Sequence, residues 1–418
     1  MYRLNHLTRV AGLFAVLSLA ACDNKKDVLG PIVPAGGDIF RSYVAIGNSI
    51  TAGFQSNGIN DSTQRQSFAR LLAGSMGTQY HYPALAMPGS PPPIANTQTG
   101  ALVGIATLPC CTRIPSSITD VLNNVAVPGA RVLDPVTQST VASNPLTTLI
   151  LGGKTQVQKA LEAQPTFATI WIGNNDVLVA GLSGILVPAP ALGQNGIIST
   201  LAQFQTSYDA MISQLTAGAP GIKGVLIGVA QVANLPSLSS GALIAATPAI
   251  QTGISAAAGV PVTIHPNCTG SASLINVPSL IPAIRTFVAL GPTGKGAHPP
   301  LISCAPGAIP GTPVGDIFVL DATEQATLSG VISSYNAYIK TKADAIGFAY
   351  YDPNVLFAAK RAINEIPAFP NFTSATATFG TLISLDGVHP SGAAHVLIAN
   401  ELIGVINAKY GTHLAAVQ

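Results

Sequence analysis

The stretch YVAIGNSITAG, residues 43–53, joins a short apolar run to a turn of glycine and small polar residues. Tyr43–Ile46 predicts a buried β-strand, and Gly47 marks its end. Ser49 follows almost at once, so its hydroxyl would lie at the carboxyl end of that strand. Gly, Asn and Ser are also common in ordinary turns, so this stretch alone does not distinguish a reactive serine from a connecting loop.

Short apolar runs alternate with longer helical patterns along the rest of the chain. Further strands are predicted at Asn124–Val127, Phe167–Ile172, Gly224–Val229 and Phe348–Tyr351. Helices are predicted over Ser67–Met76, Val157–Ala163, Ile198–Leu215, Asp321–Asp344 and Ser391–Lys409. This alternation predicts an α/β fold, in which a central parallel sheet of about five strands is covered by helices on both faces.

Residues 236–316 interrupt the alternation. They are rich in Pro, Gly, Ser and Ala and contain almost no charged residue. So long a stretch without a clear helix or strand pattern is uncommon in a compact domain. We therefore predict a long irregular insertion, referred to below as the insertion, which could act as a cap over a site.

The composition excludes several classes of protein. Hydrophobic residues make up 48% of the 418 residues and charged residues only 9%, which is typical of a globular chain with a large core and not of a disordered one. The 19 basic and 17 acidic residues nearly balance. Without a basic excess there is no electrostatic footprint for nucleic acid, so we expect no nucleic-acid partner.

The N-terminus predicts export. Residues 1–9 carry Arg3 and Arg9 but no acid, and Val10–Ala21 is an apolar run that ends in small residues. This is the pattern of a signal peptide, and the run is shorter than the roughly 20 residues that a membrane-spanning helix needs. Removing residues 1–21 takes two of the 19 basic residues and none of the 17 acidic ones, so the remaining chain is neutral.

The sequence Leu19-Ala-Ala-Cys22 resembles the lipobox of bacterial lipoproteins, which implies that Cys22 is lipidated and becomes the first residue of the mature chain. Residues 22–38 would form a flexible tether to a domain that spans residues 39–418. We therefore expect a protein of the bacterial cell envelope, anchored to a membrane by acyl chains at the periplasmic or the cell-surface side.

Four further cysteines, Cys110, Cys111, Cys268 and Cys304, would be exported and so free to form disulfides. Cys268 and Cys304 lie within the insertion and could staple it, whereas a bridge between adjacent Cys110 and Cys111 would be strained. The alternative is that all four are reduced, buried thiols. No Cys-x-x-Cys or spaced Cys/His set accompanies them, and we expect no metal site.

Three other polar blocks carry residue types that acyl-transfer chemistry needs. In open parallel sheets, ligands bind beyond the carboxyl ends of the strands, which is where Gly129 and the block Gly173-Asn174-Asn175-Asp176 are expected. A glycine N–H and an asparagine amide could donate to an oxyanion. Near the C-terminus, Asp386-Gly-Val-His389 places an aspartate where it could orient a histidine as general base.

Together these blocks, in this order, resemble the SGNH or GDSL hydrolases, a superfamily of esterases and lipases with a flavodoxin-like, three-layer α/β/α fold. The resemblance spans about residues 41–410. It implies that Ser49 is the nucleophile, His389 the general base and Asp386 its orienting acid. The Ser49 N–H, the Gly129 N–H and the Asn175 amide would form the oxyanion hole, without a cofactor or metal.

Two positions depart from the pattern or compete with it. Asn48 stands where the motif more often has Asp, which could alter how the turn at Ser49 is held. Gly89, in Ala86-Met-Pro-Gly89, shares the Ala-x-Pro-Gly pattern of the Gly129 block, and the asparagine at position 124 and the alanine at position 130 favour Gly129.

The resemblance implies a serine hydrolase that acts on carboxylic esters through an acyl-enzyme intermediate. The expected anchor and the apolar insertion favour lipid or acyl esters, with the insertion as an acyl-chain wall or lid. Two alternatives stay open. One is a polysaccharide O-acetyl esterase, and the other is a non-catalytic surface lipoprotein that uses the fold for binding.

Overall fold

The computed structural model describes residues 37–104, 112–118, 121–191, 197–289, 301–305 and 318–418. The expected signal peptide and the lipidation site at Cys22 lie outside the described residues, as do Cys110 and Cys111.

Nine strands form one large and two small sheets in the described part of the chain. The strands are β1 (Tyr43–Gly47), β2 (Phe167–Trp171), β3 (Lys223–Ile227), β4 (Leu238–Ser240), β5 (Thr263–Ile264), β6 (Leu274–Asn276), β7 (Leu301–Ile302), β8 (Val319–Leu320) and β9 (Ala349–Tyr351).

The helices range from single turns to 25 residues. Those before β3 are α1 (Ser49–Ala52), α2 (Asp61–Arg65), α3 (Phe68–Met76), α4 (Asp134–Thr137), α5 (Pro145–Leu151), α6 (Gln156–Leu161), α7 (Asn175–Ser183) and α8 (Leu201–Gly218). Those after β3 are α9 (Gly241–Ala246), α10 (Pro248–Ala258), α11 (Val277–Ala289), α12 (Ala322–Ile346), α13 (Pro353–Ala362) and α14 (Gly392–Tyr410).

The large sheet is parallel, with the order β1-β2-β3-β9. The segment of residues 123–127 lies along the free edge of β1. Its Val125 and Val127 N–H groups donate to Ala45 O and Gly47 O, at 3.1 and 3.2 Å. With this segment the sheet has five parallel strands. Numbered from 1 to 5 along the chain, with the segment as strand 2, they lie in the order 2-1-3-4-5, which is the flavodoxin-like order that the resemblance implied.

Alternate residues of each central strand point to opposite faces of the sheet, and both faces are buried. On β1, Val44 and Ile46 pack into the core that contains α6, α8 and α12. Tyr43 and Ala45 pack into the core on the other face, under α3 and α14. The molecule is therefore a three-layer α/β/α fold, and the prediction of its class is confirmed.

Four of the described helices begin with a capping box, which satisfies two of the N–H groups at the helix start. Asn60 with Thr63 forms the box at α2. Thr155 with Gln158, Thr200 with Gln203, and Asp321 with Glu324 form the boxes at α6, α8 and α12. Because side chains at helix starts mark the boundaries in the sequence, α6, α8 and α12 each lie within a few residues of the predicted range. No helix among the described residues is long and apolar enough to cross a membrane.

The insertion is more ordered than the sequence predicted. Its described parts contain α9, α10 and α11, and β6 pairs antiparallel with β4 and with β8, which follows the insertion. These elements enclose a small apolar core of their own, and a disulfide joins Cys268 to Cys304 inside it. The prediction of an irregular insertion was wrong because α10 begins without a side-chain cap and α11 contains Pro282, so the sequence shows neither a start signal nor an uninterrupted helical pattern there.

Candidate active site

Ser49 lies at a sharp turn from β1 into α1. A Cβ on Gly47 would lie 2.3 Å from Thr51 Oγ1 and 2.8 Å from Trp171 O, so only glycine fits at the end of the strand. Asn48 caps α1, because its Oδ1 accepts the Ile50 N–H at 3.1 Å. An aspartate would accept the same bond, so the departure at Asn48 leaves the turn intact.

The structure brings the three residues of the expected triad together, although Ser49 and His389 are 340 positions apart. His389 Nε2 lies 2.9 Å from Ser49 Oγ, and His389 Nδ1 lies 2.8 Å from Asp386 Oδ2. The ring of His389 also packs against Phe54, with 5.0 Å between ring centroids. These contacts fix the imidazole between an acid on one side and a hydroxyl on the other.

The buried carboxylate of Asp386 is held in its ionised form. Burial alone would raise the pKa of Asp386, but His389 and the main-chain N–H donors lower this pKa to about 2. Oδ1 accepts the N–H groups of Val388 and His389, and Oδ2 accepts the N–H of Asn57 at 2.9 Å. An ionised Asp386 keeps the proton of neutral His389 on Nδ1, which leaves Nε2 free to accept the Ser49 proton.

Candidate oxyanion donors lie on the two loops next to Ser49. Asn175 begins α7, and its Nδ2 donates to Ala130 O at 2.9 Å, which ties it to the loop that carries Gly129. An amide nitrogen has two hydrogens, so one remains for a ligand. Within the described residues, the N–H groups of Gly129 and Ser49 have no hydrogen-bond partner. The competing glycine, Gly89, packs instead against Ile59 and Asn60.

Asp176 has a role that the sequence analysis did not assign. It is fully buried, and its carboxylate accepts the Val132 N–H at 2.8 Å and the Ser199 hydroxyl at 2.5 Å. Burial raises the pKa of Asp176 to about 6, although both hydrogen bonds lower it. Since Val132 follows the Gly129 loop and Asp176 lies in the first turn of α7, the hydrogen bond between them holds the loop against the start of α7. The only signal in the sequence was its place directly after Asn175.

A pocket of about 740 Å³, including its open mouth, lies beside Ser49 and His389, and we refer to it as the Ser49 pocket. Its apolar lining includes Leu178, Val232, Leu235, Phe357, Ile366 and Ile383. These residues come from the segments after β2, β3 and β9, at the carboxyl ends of the strands.

The expected role of the insertion as acyl-chain wall was wrong for the described residues. Only Pro236, its first residue, lines the Ser49 pocket. The wall is built instead by residues 230–235, by α13 and by residues 366–390. The body of the insertion lies beside a separate groove, which also contains Asn57, Phe372 and Asp386.

His395, a histidine outside the triad, has a structural role. The buried ring of His395 accepts the Phe68 N–H through Nδ1 at 3.2 Å, at the start of α3. Burial lowers the pKa of His395 to about 3, so the ring stays neutral. No group of His, Cys, Asp and Glu in the described part of the chain could hold a metal ion.

A Ser–His–Asp arrangement at the carboxyl ends of a doubly wound sheet is that of a serine hydrolase. The chain belongs to the GDSL-like lipase/acylhydrolase family, whose model matches residues 43–402. It is thus a carboxylic ester hydrolase by family. No curated protein matches the sequence.

Several solved structures resemble the chain weakly. A family two carbohydrate esterase from Clostridium thermocellum is 11% identical with a TM-score of 0.37, over 92% of this chain and 67% of the other. An acetylxylan esterase from Geobacillus stearothermophilus is 12% identical with a TM-score of 0.35, over 90% and 97%. A putative GDSL-like lipase from Parabacteroides merdae is 12% identical with a TM-score of 0.24, over 70% and 96%. Similarity at this level assigns no substrate.

Proposed function

We propose that this protein hydrolyses carboxylic esters of lipid or acyl type, with Ser49 as nucleophile, His389 as general base and Asp386 as its orienting acid. The observation that carries the proposal is the chain of hydrogen bonds from Asp386 through His389 to Ser49, at the edge of a largely apolar pocket.

In each step of the proposed reaction, His389 takes up or gives back one proton. His389 Nε2 takes the hydroxyl proton while Ser49 Oγ bonds to the ester carbonyl carbon. The resulting oxyanion accepts hydrogen bonds from the N–H groups of Ser49 and Gly129 and from the Asn175 amide. His389 then returns the proton to the leaving alcohol, and the acyl-enzyme remains. Water, deprotonated by His389, attacks this ester and releases the acid and free Ser49.

The lining of the pocket favours a long acyl group over acetate. An acetyl group has one methyl to bury, whereas each further methylene buried against the lining contributes about 0.8 kcal/mol. Leu178, Leu235 and Phe357 offer such a surface next to the nucleophile. The rate should therefore rise with acyl length until the pocket is filled.

The test is hydrolysis of p-nitrophenyl esters from acetate to palmitate by the full chain in a detergent without ester bonds. We expect kcat/KM to rise with chain length, and turnover to be absent in Ser49→Ala and His389→Ala. Activity on acetate alone would favour the polysaccharide O-acetyl esterase. Folded protein that neither turns over any ester nor reacts with a fluorophosphonate would favour the non-catalytic surface lipoprotein.

We further propose that lipidated Cys22 anchors the enzyme to a membrane of the bacterial cell envelope. The support is the sequence alone: the lipobox pattern at residues 19–22 and the polar, Pro- and Gly-rich tether that follows. Cells grown with a labelled fatty acid should label the wild-type protein. The Cys22→Ala protein should stay unlabelled and leave the membrane fraction, and label retained in this variant would contradict the anchor.

A further inference from the structure

In the part of the chain that the structure describes, no permanently charged side chain lines the Ser49 pocket. Its polar lining consists of neutral groups, most of them amides: Asn48, Ser49, Asn174, Asn175, Gln231, Asn234 and Asn354. Among the described residues, no lysine, arginine, aspartate or glutamate lines it. The pocket therefore offers apolar surface and neutral hydrogen-bonding groups, but no ionic partner.

Three of these amides are unengaged in the described part of the chain, and one of them, Asn174, has its Oδ1 buried without a partner. Within the described structure, the side-chain amides of Gln231 and Asn234 make no hydrogen bond, and both residues are at least partly exposed in the segment after β3. The amide of Asn354 is fully used, because its Oδ1 accepts the Gln231 N–H and its Nδ2 donates to Val229 O and Asp352. Gln231 and Asn234 are thus available to a ligand, whereas Asn354 supports the wall.

The charged groups on and beside α13 are engaged elsewhere. Arg361 donates to the main-chain carbonyl of Asn234 at 2.7 Å, and Lys360 pairs with Glu365 at 3.0 Å. None of these three side chains lines the pocket. A phosphate or an ammonium group bound there would lose water without gaining an opposite charge, which is unfavourable in an apolar site.

We propose that the substrate is an uncharged ester, in which an apolar acyl chain is joined to a neutral, hydroxyl-bearing alcohol. This inference rests on the proposed function and adds the chemistry of the alcohol. The apolar lining binds the acyl chain, and the amides of Gln231 and Asn234 bind hydroxyl groups of the alcohol. An amide offers both donors and an acceptor, which suits a hydroxyl.

The test compares lauroyl esters that differ only in the alcohol: 1-lauroylglycerol, its 3-phosphate and its 3-phosphocholine, presented to the full chain in the same micelles. We expect kcat/KM for the neutral ester to exceed that for each charged ester by at least about tenfold, since burying an unpaired charge is costly. Equal or faster turnover of either charged ester would overturn the inference.

Two variants test which residues contact the alcohol part of the substrate. Gln231→Ala/Asn234→Ala should lower the ratio of kcat/KM for 1-lauroylglycerol to kcat/KM for p-nitrophenyl laurate about threefold to tenfold, because only the glycerol ester has hydroxyl groups that lose one or two neutral hydrogen bonds. An equal loss on both esters would contradict the assigned contact. Arg361→Gln should leave the preference between neutral and phosphate esters unchanged. A selective loss on the phosphate ester would make Arg361 a head-group ligand and overturn the inference.

The same assay separates the two proposals. Turnover of p-nitrophenyl laurate that disappears in Ser49→Ala tests the hydrolase by itself, without any demand on the alcohol. No such turnover would defeat the proposed function. Turnover of this ester together with equal rates on all three glycerol esters would leave the hydrolase standing and defeat only the neutral-substrate inference.

Discussion

Asn175 connects the candidate oxyanion hole to its supporting loop through one amide. One hydrogen of this amide is used on Ala130 O, and the other is free for the oxyanion. Asn175→Ala should lower kcat by about 10²–10³, because a donor aimed at the developing charge acts mainly in the transition state. KM should change little. Steady-state kinetics on p-nitrophenyl butyrate measure both.

The control for this variant is its thermal unfolding. The substitution also removes the bond to Ala130, so a large fall in Tm together with a large rise in KM would point to a collapsed loop instead of a lost donor. An unchanged kcat in a folded protein would show that Asn175 does not contact the oxyanion.

Asp176 should make the protein more stable in mild acid than at neutral pH. Its pKa is raised by burial from 3.8 to about 6, so the folded state holds a proton that the unfolded state releases. The stabilisation is complete below about pH 4 and is lost as pH rises through about 6. Relative to the wild type, Asp176→Asn should therefore gain about 2 kcal/mol of stability between pH 4.5 and pH 7.5. Urea unfolding of both proteins at the two pH values measures the difference, and parallel pH dependence would contradict it.

At the residue scale, the sequence predicts the triad because each member stands in a short block beside a strand end or helix start. It cannot predict what Asp176 does. The partners of this carboxylate, Val132 and Ser199, are 44 and 23 positions away, and no local pattern couples them to it. A buried charge with distant partners is visible only when the chain has folded.

A tight turn at residues 55–58 links the nucleophile side of the site to the acid side. Ser56 and Asn57 both have left-handed backbone conformations, with φ of 55° and 59°. The Ser56 N–H donates to Ser384 Oγ at 2.9 Å, and Ser56 Oγ accepts the Leu385 N–H at 3.1 Å. The Asn57 N–H then reaches Asp386 Oδ2, the oxygen that also binds His389.

We expect the backbone conformation of this turn to affect the pKa of Asp386 and the orientation of its carboxylate. Asn57→Val should cost about 1–2 kcal/mol in the left-handed region and displace the N–H from Asp386, whereas Asn57→Gly should keep it. Because this N–H lowers the pKa of Asp386, its loss should raise that pKa. A less firmly held Asp386 should orient His389 less well, so kcat/KM at neutral pH should fall about threefold to tenfold in Asn57→Val and stay near the wild-type value in Asn57→Gly. Equal kcat/KM in the two variants would show that the turn does not act on Asp386.

At the element scale, the helices and central strands were predictable because their periodicity and caps are local. Ser67 and Ser391, for example, cap α3 and α14 next to the predicted starts. Asn124–Val127 was predicted as a strand, and it does lie along β1, although within it only Asn124 forms a regular bridge. The turn at residues 55–58 was not predicted, because its conformation depends on Ser384–Asp386 at the other end of the chain.

At the scale of the whole molecule, the alternation of strands and helices predicts the α/β/α layers but gives no information about the insertion. Its helices are held by a small core around Ile244, Ile275 and Ile302 and by the disulfide between Cys268 and Cys304. Neither a long periodic pattern nor a strong cap precedes these elements. Their order depends on contacts among residues that are far apart in the insertion, which a single sequence does not reveal.

We therefore expect that opening the insertion locally leaves ester hydrolysis at Ser49 almost unchanged. Its disulfide joins cysteines 36 positions apart, and removing a closure of this length costs about 4 kcal/mol in the chain-entropy model. Cys268→Ala/Cys304→Ala should open the insertion locally, so that thermolysin cleaves between residues 241 and 305 at low protease concentration. The Ser49 pocket takes only Pro236 from the described insertion, so hydrolysis of p-nitrophenyl butyrate should stay within about twofold of wild type. If activity falls in step with cleavage, the insertion supports the pocket after all, and its separation from the site would be wrong.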